Sequence, residues 1–154
     1  LFCVAFFNDA HEHLGEFLAL DGVCPGLGDA GAHAGQICDA DATTHYLTYW
    51  SREQGAAPLP DAVHRLTAKP AAVLGLVDRG TLRPGAFADL NVFDPERLAW
   101  GYPQYSNDIP GGSGRFSVGS SGYAATLVNG VVVTEDGLNT GARPGTVLRE
   151  FSRA

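Results

Sequence analysis

The pattern of apolar residues changes character near Leu76, and this change constrains the fold more than any other feature. Before Leu76 the apolar residues recur at helical spacing. The stretch "THYLTYWSREQG" predicts a helix with Tyr46 and Trp50 on one face. The stretch "LPDAVHRLTAKPAAVLGL" predicts two helices, with Pro60 in the first turn and Gly75 after the last. The chain is therefore expected to place its helices before its clearest strands.

After Leu76 the sequence favours β-structure. In "YAATLVNGVVVTEDG" two β-rich runs flank Asn129-Gly130, a pair typical of a two-residue type I′ hairpin. The run around Leu90 and Val92 predicts another strand. Between these runs, residues 102–122 are rich in glycine and serine, so we expect a loop that drapes over a neighbouring surface.

The first thirty residues predict a strand, a helix and a second strand. "LFCVAFF" is a continuous apolar run, as in a strand of a parallel sheet covered on both faces. Leu14, Phe17 and Leu18 give the following segment a helical apolar stripe. "DGVCPGLGD" then predicts a turn and a short strand that ends at Asp29. Together these segments predict a βαβ unit.

Charge and composition exclude several classes of protein. The 154 residues carry a net charge of -7, and residues 1–51 hold seven carboxylates but no Lys or Arg, which argues against a nucleic-acid partner. No apolar run approaches the ~20 residues of a membrane span. Three cysteines without a CxxC pair predict no disulfide framework and a cytoplasmic location. Met is absent and the chain starts at Leu1, so we expect the tail of a longer protein.

The stretch "GLGDAGAH" carries the main candidate for chemistry. A carboxylate at the carboxyl end of a parallel strand lies where α/β barrels place their active sites. Around Asp29, the small residues Gly28, Ala30, Gly31 and Ala32 leave room for a metal ion, water or substrate. The alternative is an Asp that only stabilises a turn through its side chain. His33 follows four residues later and would share a face with Asp29 if the segment were helical.

Other candidate groups are weaker. His11 and His13 resemble a metal-binding pair, but two residues of helix would turn their imidazoles about 200° apart, so we interpret them as a solvated helix face. Cys38 and Asp39 lie in the loop after His33, where we assign Cys38 no chemistry. The sequence holds no GxSxG nucleophile motif, and we assign it no phosphate-binding loop.

Three stretches together resemble a known family. "GLGDAGAHAGQICDA", "LTAKPAAVLGLVDRGTLRPGAFADLNVFD" and "ATLVNGVVVTEDG" are similar to the carboxy-terminal part of the amidohydrolase superfamily, in the N-acyl-D-amino-acid deacylase (D-aminoacylase) branch. The resemblance implies an α/β fold. Residues 1–76 would form the C-terminal end of a (β/α)8 TIM barrel, and residues 77–154 would form part of a small β-sandwich.

The resemblance also implies a reaction. Enzymes of this branch use one or two divalent metals, usually Zn2+, to activate water for hydrolysis of an amide bond. Asp29 matches the catalytic Asp, a candidate metal ligand as well, while the other ligands would lie upstream of this chain, leaving it inactive alone. The partner would be a small N-acyl amino acid or a related amide, with His33 as a weaker substrate-binding candidate. Arg52 and Arg115 are candidate anchors for the substrate carboxylate, and a homo-oligomer is compatible with the family.

Two alternatives remain open at this stage. The chain could be a non-catalytic scaffold or binding module that keeps the barrel architecture without metal ligands. It could also belong to a cyclic amidase similar to dihydropyrimidinase, because the terminal β half would look alike in both enzymes. Activity on N-acyl-D-amino acids or on cyclic ureides would separate the two enzymes.

Overall fold

The computed structural model describes residues 10–149 and shows a mixed α/β fold. The helical segments are α1 (His11–Ala19), α2 (Ala42–His45), a π-helix that continues it (Tyr46–Glu53), α3 (Leu59–Leu66) and α4 (Ala68–Val73). The strands are β1 (Leu90–Phe93), β2 (Ala99–Trp100), β3 (Gln104–Ile109), β4 (Ser113–Ser117), β5 (Ser120–Ser121), β6 (Tyr123–Val128), β7 (Val131–Glu135) and β8 (Leu138–Asn139). Among these residues every helix therefore precedes every strand.

The predicted helices are confirmed, with one difference in geometry. α3 has a Pro in its first turn, and the chain leaves α4 through Gly75 at a φ of +73°. The segment predicted as one helix around Trp50 is α-helical only to His45 and then becomes π-helical. The Thr48 hydroxyl donates to the Thr44 carbonyl at 2.9 Å, a side-chain bond that competes with the regular backbone ladder.

The sheets are antiparallel throughout the described part of the chain. β1, β6, β7 and β8 form one sheet in the order β1-β6-β7-β8, while β2 pairs with β5 and β3 with β4. The β6–β7 turn is the predicted hairpin: Asn129 and Gly130 have φ of +50° and +78°, as a type I′ turn requires. The backbone N–H of Asn129 also donates to Asp89 Oδ1 at 2.9 Å, which ties the turn to the residues before β1.

One hydrophobic core spans the helical and the β-rich parts. Its buried side chains come mainly from the π-helix and α3, joined by Leu98 from the turn before β2. Phe93 and Tyr123 of the larger sheet pack against the same cluster, as do Leu14 and Leu18 of α1. The helices are therefore held against the sheet by shared apolar contacts.

Three sequence-based expectations differ from the structure or lie outside it. The apolar run at residues 1–7 lies outside the described residues. The strand predicted to end at Asp29 is wrong: residues 23–29 are irregular, Leu27 is fully exposed, and no segment within residues 10–149 pairs with them. A strand is stable only when a neighbour satisfies its backbone groups. Residues 102–122, which were predicted to form a loop, contain the β3–β4 hairpin, in which Tyr105 lies opposite Phe116.

Candidate active-site loop around Asp29

Asp29 lies in the long loop between α1 and α2, just before a series of turns. Its carbonyl accepts a hydrogen bond from the Ala32 amide at 2.9 Å, and Gly31 adopts a φ of +91° within that turn. The Asp29 side chain is exposed, and its carboxylate makes no hydrogen bond or ion pair with any residue from 10 to 149. The carboxylate is therefore open to groups that approach from solvent.

Asp39 anchors this loop from the other side. Its Oδ2 accepts the Asp29 backbone N–H at 2.9 Å. A Cβ on Gly28 would lie 2.8 Å from the same oxygen, so the glycine lets the Asp39 carboxylate approach. Asp39 Oδ1 is buried and has no hydrogen-bond donor in the described part of the chain. The sequence placed Asp39 in this loop, but only the fold shows that it contacts Asp29.

His33 does not form a pair with Asp29. Residues 30–36 form turns rather than a helix, so the helical face proposed for the two side chains is not formed. The His33 carbonyl accepts the amides of Gln36 at 2.8 Å and Ile37 at 3.0 Å, which closes the next turn. The imidazole is exposed, and no hydrogen bond joins it to Asp29. Its role in substrate binding stays a prediction.

The β3–β4 hairpin packs against the loop that carries Asp29. The Phe116 amide donates to the Ala34 carbonyl at 2.7 Å, and a Cβ on Gly35 would lie 3.5 Å from the Gly114 carbonyl. The stretch 102–122 was expected to cover a neighbouring surface, and here it lies against the turns that follow His33. The hairpin thus fixes the position of Ala34 and Gly35 within this loop.

The two arginines considered as substrate anchors are both engaged within the chain. The Arg52 guanidinium donates to the carbonyls of Pro95 at 3.0 Å and Leu98 at 2.7 Å. Arg115 forms a two-pronged ion pair with Asp108, with both N···O distances at 2.7 Å. The hydrogen bonds from Arg115 lower the pKa of Asp108 to about 2. Both guanidiniums are therefore hydrogen-bonded to other groups of the chain rather than left open to a substrate carboxylate.

The two histidines of α1 point to different parts of the molecule, as their helical spacing predicts. His11 Nδ1 lies 3.3 Å from the Tyr49 hydroxyl, whereas His13 lies 3.8 Å from Glu16 on the same helix. The two imidazoles therefore have different neighbours. Within residues 10–149 no group of three His, Cys, Asp or Glu side chains is arranged to hold a metal ion.

A separate cleft of about 870 Å³ opens between the start of α2 and the large sheet. It is lined by polar and charged side chains, among them Asp41, Asp94, Arg97 and Asp136. Neither Asp29 nor His33 lines it. The cleft and the Asp29 loop are thus distinct places on the surface.

Comparison with known sequences identifies the class of protein. The chain belongs to the amidohydrolase family, whose sequence profile matches residues 8–134. This match includes the Asp29 loop, all the described helices and the β6–β7 turn.

Individual relatives indicate which branch of the amidohydrolase family the chain is similar to. The chain is 42% identical over 106 residues to N-acyl-D-aspartate deacylase of Alcaligenes xylosoxydans xylosoxydans, covering 68% of this chain and 19% of that enzyme. It is 36% identical over 123 residues to N-acyl-D-glutamate deacylase of the same organism, covering 71% and 22%. The chain thus spans about a fifth of the length of the curated relatives it matches.

A solved structure supports the same branch. A D-aminoacylase structure, described for the functional role of its binuclear metal center, is 35% identical with a TM-score of 0.51. The match covers 65% of this chain and 19% of that one.

None of the helices within residues 10–149 has the length and the apolar composition of a membrane span.

Proposed function

We propose that this chain supplies the Asp29 loop to a metal-dependent amidohydrolase that cleaves the amide bond of N-acyl-D-amino acids. One observation carries the proposal: in a chain similar to deacylases of this class, a carboxylate stands exposed and without a partner among residues 10–149. The sequence identity of 42% over 106 residues to an N-acyl-D-aspartate deacylase favours an open-chain amide as substrate over a cyclic one.

Asp29 would act as the general base and then as the general acid. Its carboxylate accepts a proton from the water that attacks the amide carbonyl, and the new C–O bond forms as that proton leaves. The same carboxyl group then donates the proton to the amine nitrogen as the C–N bond breaks. The products are a carboxylate and a free D-amino acid, so atoms and charges balance. The small residues that flank Asp29 keep this face of the loop accessible to substrate.

The donor set of the loop fits a metal site in part. Asp29 offers one carboxylate, a suitable ligand for Zn2+, but a catalytic zinc uses about three protein ligands and the described residues contain no such group. We infer that the remaining ligands lie outside residues 10–149. A bound divalent metal would polarise the amide carbonyl and lower the pKa of the attacking water.

The finer architecture is also a proposal. We assign residues 1–76 to the C-terminal end of a TIM barrel and residues 77–154 to a β-sandwich, supported by the order of helices and strands and by the likeness to D-aminoacylase. A cytoplasmic location is supported by the small number of cysteines, three in 154 residues and without a CxxC pair. Assembly as a homo-oligomer stays a prediction.

The test uses the full-length product of the gene that encodes this chain, loaded with Zn2+. N-acyl-D-aspartate, N-acyl-D-glutamate, their L enantiomers and a cyclic ureide are assayed in parallel. We expect hydrolysis of the D compounds, and a loss of about 10²- to 10⁴-fold in kcat for Asp29→Asn. The matched control is Glu12→Gln, on the exposed face of α1. Full activity in Asp29→Asn would refute the role of Asp29, and turnover of the ureide alone would identify a cyclic amidase. Hydrolysis of none of these compounds would refute the proposed substrate class.

A further inference from the structure

Asp39 is joined to Asp29 through the backbone rather than through the side chain. The Asp29 N–H donates to Asp39 Oδ2 at 2.9 Å, across ten residues of sequence. Hydrogen bonds to an ionised carboxylate are stronger than those between neutral groups. This bond closes the segment 29–39 into a ring and fixes the point from which the Asp29 side chain leaves the backbone.

Gly28 is required for this approach. A Cβ at position 28 would lie 2.8 Å from Asp39 Oδ2 and 3.3 Å from the Asp39 carbonyl oxygen. By contrast, a Cβ at Gly26 would meet nothing within 4 Å. Neither glycine has a positive φ, so an alanine would be compatible with both backbones. Contact with Asp39 is therefore what distinguishes Gly28 from Gly26.

Asp39 in turn is tied to the rigid part of the molecule. Its carbonyl accepts the Ala42 amide at 3.1 Å, at the start of α2. The π-helix that follows α2 supplies Tyr46, Leu47 and Trp50 to the core. A side chain anchored next to a packed helix positions its neighbour more accurately than one in a free loop can.

The second carboxylate oxygen of Asp39 takes no part in this hydrogen bond. Oδ1 is buried without a donor in the described part of the chain, and an unpaired buried oxygen costs free energy. A buried polar group of this kind calls for an explanation, and a functional role is one such explanation.

We propose that Asp39 is the positioning residue of Asp29, holding the backbone of the proposed general base at the mouth of the loop. The proposal rests on the catalytic role proposed above for Asp29. A side chain that moves protons must stand within hydrogen-bond reach of its substrate, so a small displacement of its backbone lowers the rate of the chemical step.

The first experiment compares Asp39→Ala with Asp39→Asn in the full-length, zinc-loaded enzyme. Asp39→Ala removes the acceptor, and we expect kcat to fall by about 10- to 100-fold while KM changes little. Asp39→Asn keeps an oxygen that can accept the Asp29 N–H, so its kcat should stay within a few-fold of the unsubstituted enzyme. Amide hydrogen exchange gives a readout without catalysis: protection of the Asp29 amide should be lost in Asp39→Ala and kept in Asp39→Asn.

The second experiment uses the two glycines and decides the question even where Asp39→Ala does not fold. Gly28→Ala should displace the Asp39 carboxylate and lower kcat and the protection of the Asp29 amide, while Gly26→Ala should leave both unchanged. Equal kcat in the two alanine variants, with the Asp29 amide protected in both, would overturn the proposal.

The outcomes also separate this proposal from the proposed function. If Asp29→Asn is inactive but Asp39→Ala is fully active, the role of Asp29 stands and the role of Asp39 is wrong. If Asp29→Asn is fully active, the proposed function itself is wrong.

Discussion

Thr44 Oγ1 lies 2.9 Å from the Tyr123 hydroxyl, which joins α2 to β6 across 79 residues of sequence. Either hydroxyl can donate in this pair. The contact lies beside the core in which Tyr123 packs against the π-helix residues. A second polar link, from Arg52 of the π-helix to the Leu98 carbonyl at 2.7 Å, joins the helices to the turn before β2. The helices and the sheet are thus held together by directional bonds as well as by apolar burial.

Loss of this hydroxyl pair should lower stability in a coupled way. We expect Tyr123→Phe or Thr44→Val alone to lower the free energy of unfolding by about 1–3 kcal/mol, because each leaves the other hydroxyl without its partner. The double variant should cost less than the sum of the two. Urea unfolding of all four proteins gives the coupling energy. Strict additivity would mean that the hydroxyls do not interact.

Arg65 holds the end of α1 and the turn after it. Its guanidinium donates to the carbonyls of Leu18 at 2.8 Å, Ala19 at 3.0 Å and Leu20 at 2.9 Å, and its side chain is only 12% exposed. Arg65→Lys lacks the planar fork that reaches several carbonyls. We expect it to lower the free energy of unfolding by about 1.5–3 kcal/mol. Hydrogen exchange should accelerate first in α1. Arg143→Lys, on the exposed C-terminal stretch, is the control. Equal effects of the two substitutions would contradict the assignment.

His45 should make the fold sensitive to mild acid. Burial lowers its pKa from 6.5, although Asp41 and Glu53 oppose this and His11 adds to it. The folded state therefore prefers neutral His45, and its contribution to stability is full above pH 6.5 and declines as the pH falls below that value. We expect the pH dependence of the unfolding free energy between about pH 7 and 5 to flatten in His45→Gln. His64→Gln, on the exposed face of α3, is the control. An unchanged slope in His45→Gln would refute this prediction.

Asp108 should titrate far below an ordinary aspartate. Its hydrogen bonds to Arg115 lower the pKa from 3.8 to about 2, with Ser106 adding a smaller contribution. The ion pair therefore favours the folded hairpin above about pH 4 and is lost as the pH falls through 2. In Arg115→Gln the Asp108 carboxyl should titrate near 3.8, as followed by the NMR shift of its carboxyl carbon. The same pKa in both proteins would show that the pair does not form in solution.

Gly122 lies where a side chain cannot be accommodated. Its φ is +91°, and a Cβ there would lie 2.6 Å from Leu98 Cα. Gly122→Ala should therefore lower the free energy of unfolding by about 1–3 kcal/mol through backbone strain alone. Gly119 has open space around its Cβ position and no positive φ, so Gly119→Ala is the matched control. Thermal melts that coincide for the two variants would contradict the prediction.

Local signals in the sequence predicted those parts of the fold that local chemistry determines. The Asn129-Gly130 turn followed from the ease with which both residues adopt positive φ. The start of α3 and the end of the helical part at Gly75 followed from proline and glycine preferences. The β3–β4 hairpin was missed because its strands are polar. Its visible signal was Gly111-Gly112, where both residues have positive φ at the turn.

Contacts between residues distant in the chain could not be predicted from the sequence. The sequence identified Asp29 as a candidate and placed Asp39 nearby, but the bond between them depends on how the turns at residues 30–37 fold back. The strand assigned before Asp29 failed for a related reason. A short apolar run forms a strand only beside a partner, and an isolated sequence does not reveal which partner is present.

The shared core also limits how this part of the protein can be recombined. A crossover at residue 76 would separate Leu98 and Tyr123 from the π-helix side chains against which they pack. Chimeras that exchange the two halves between family members should therefore fold only when these facing residues are transferred as a matched set. For the same reason we expect the effect of a substitution on the helical side of the core to depend on which residues face it from the sheet.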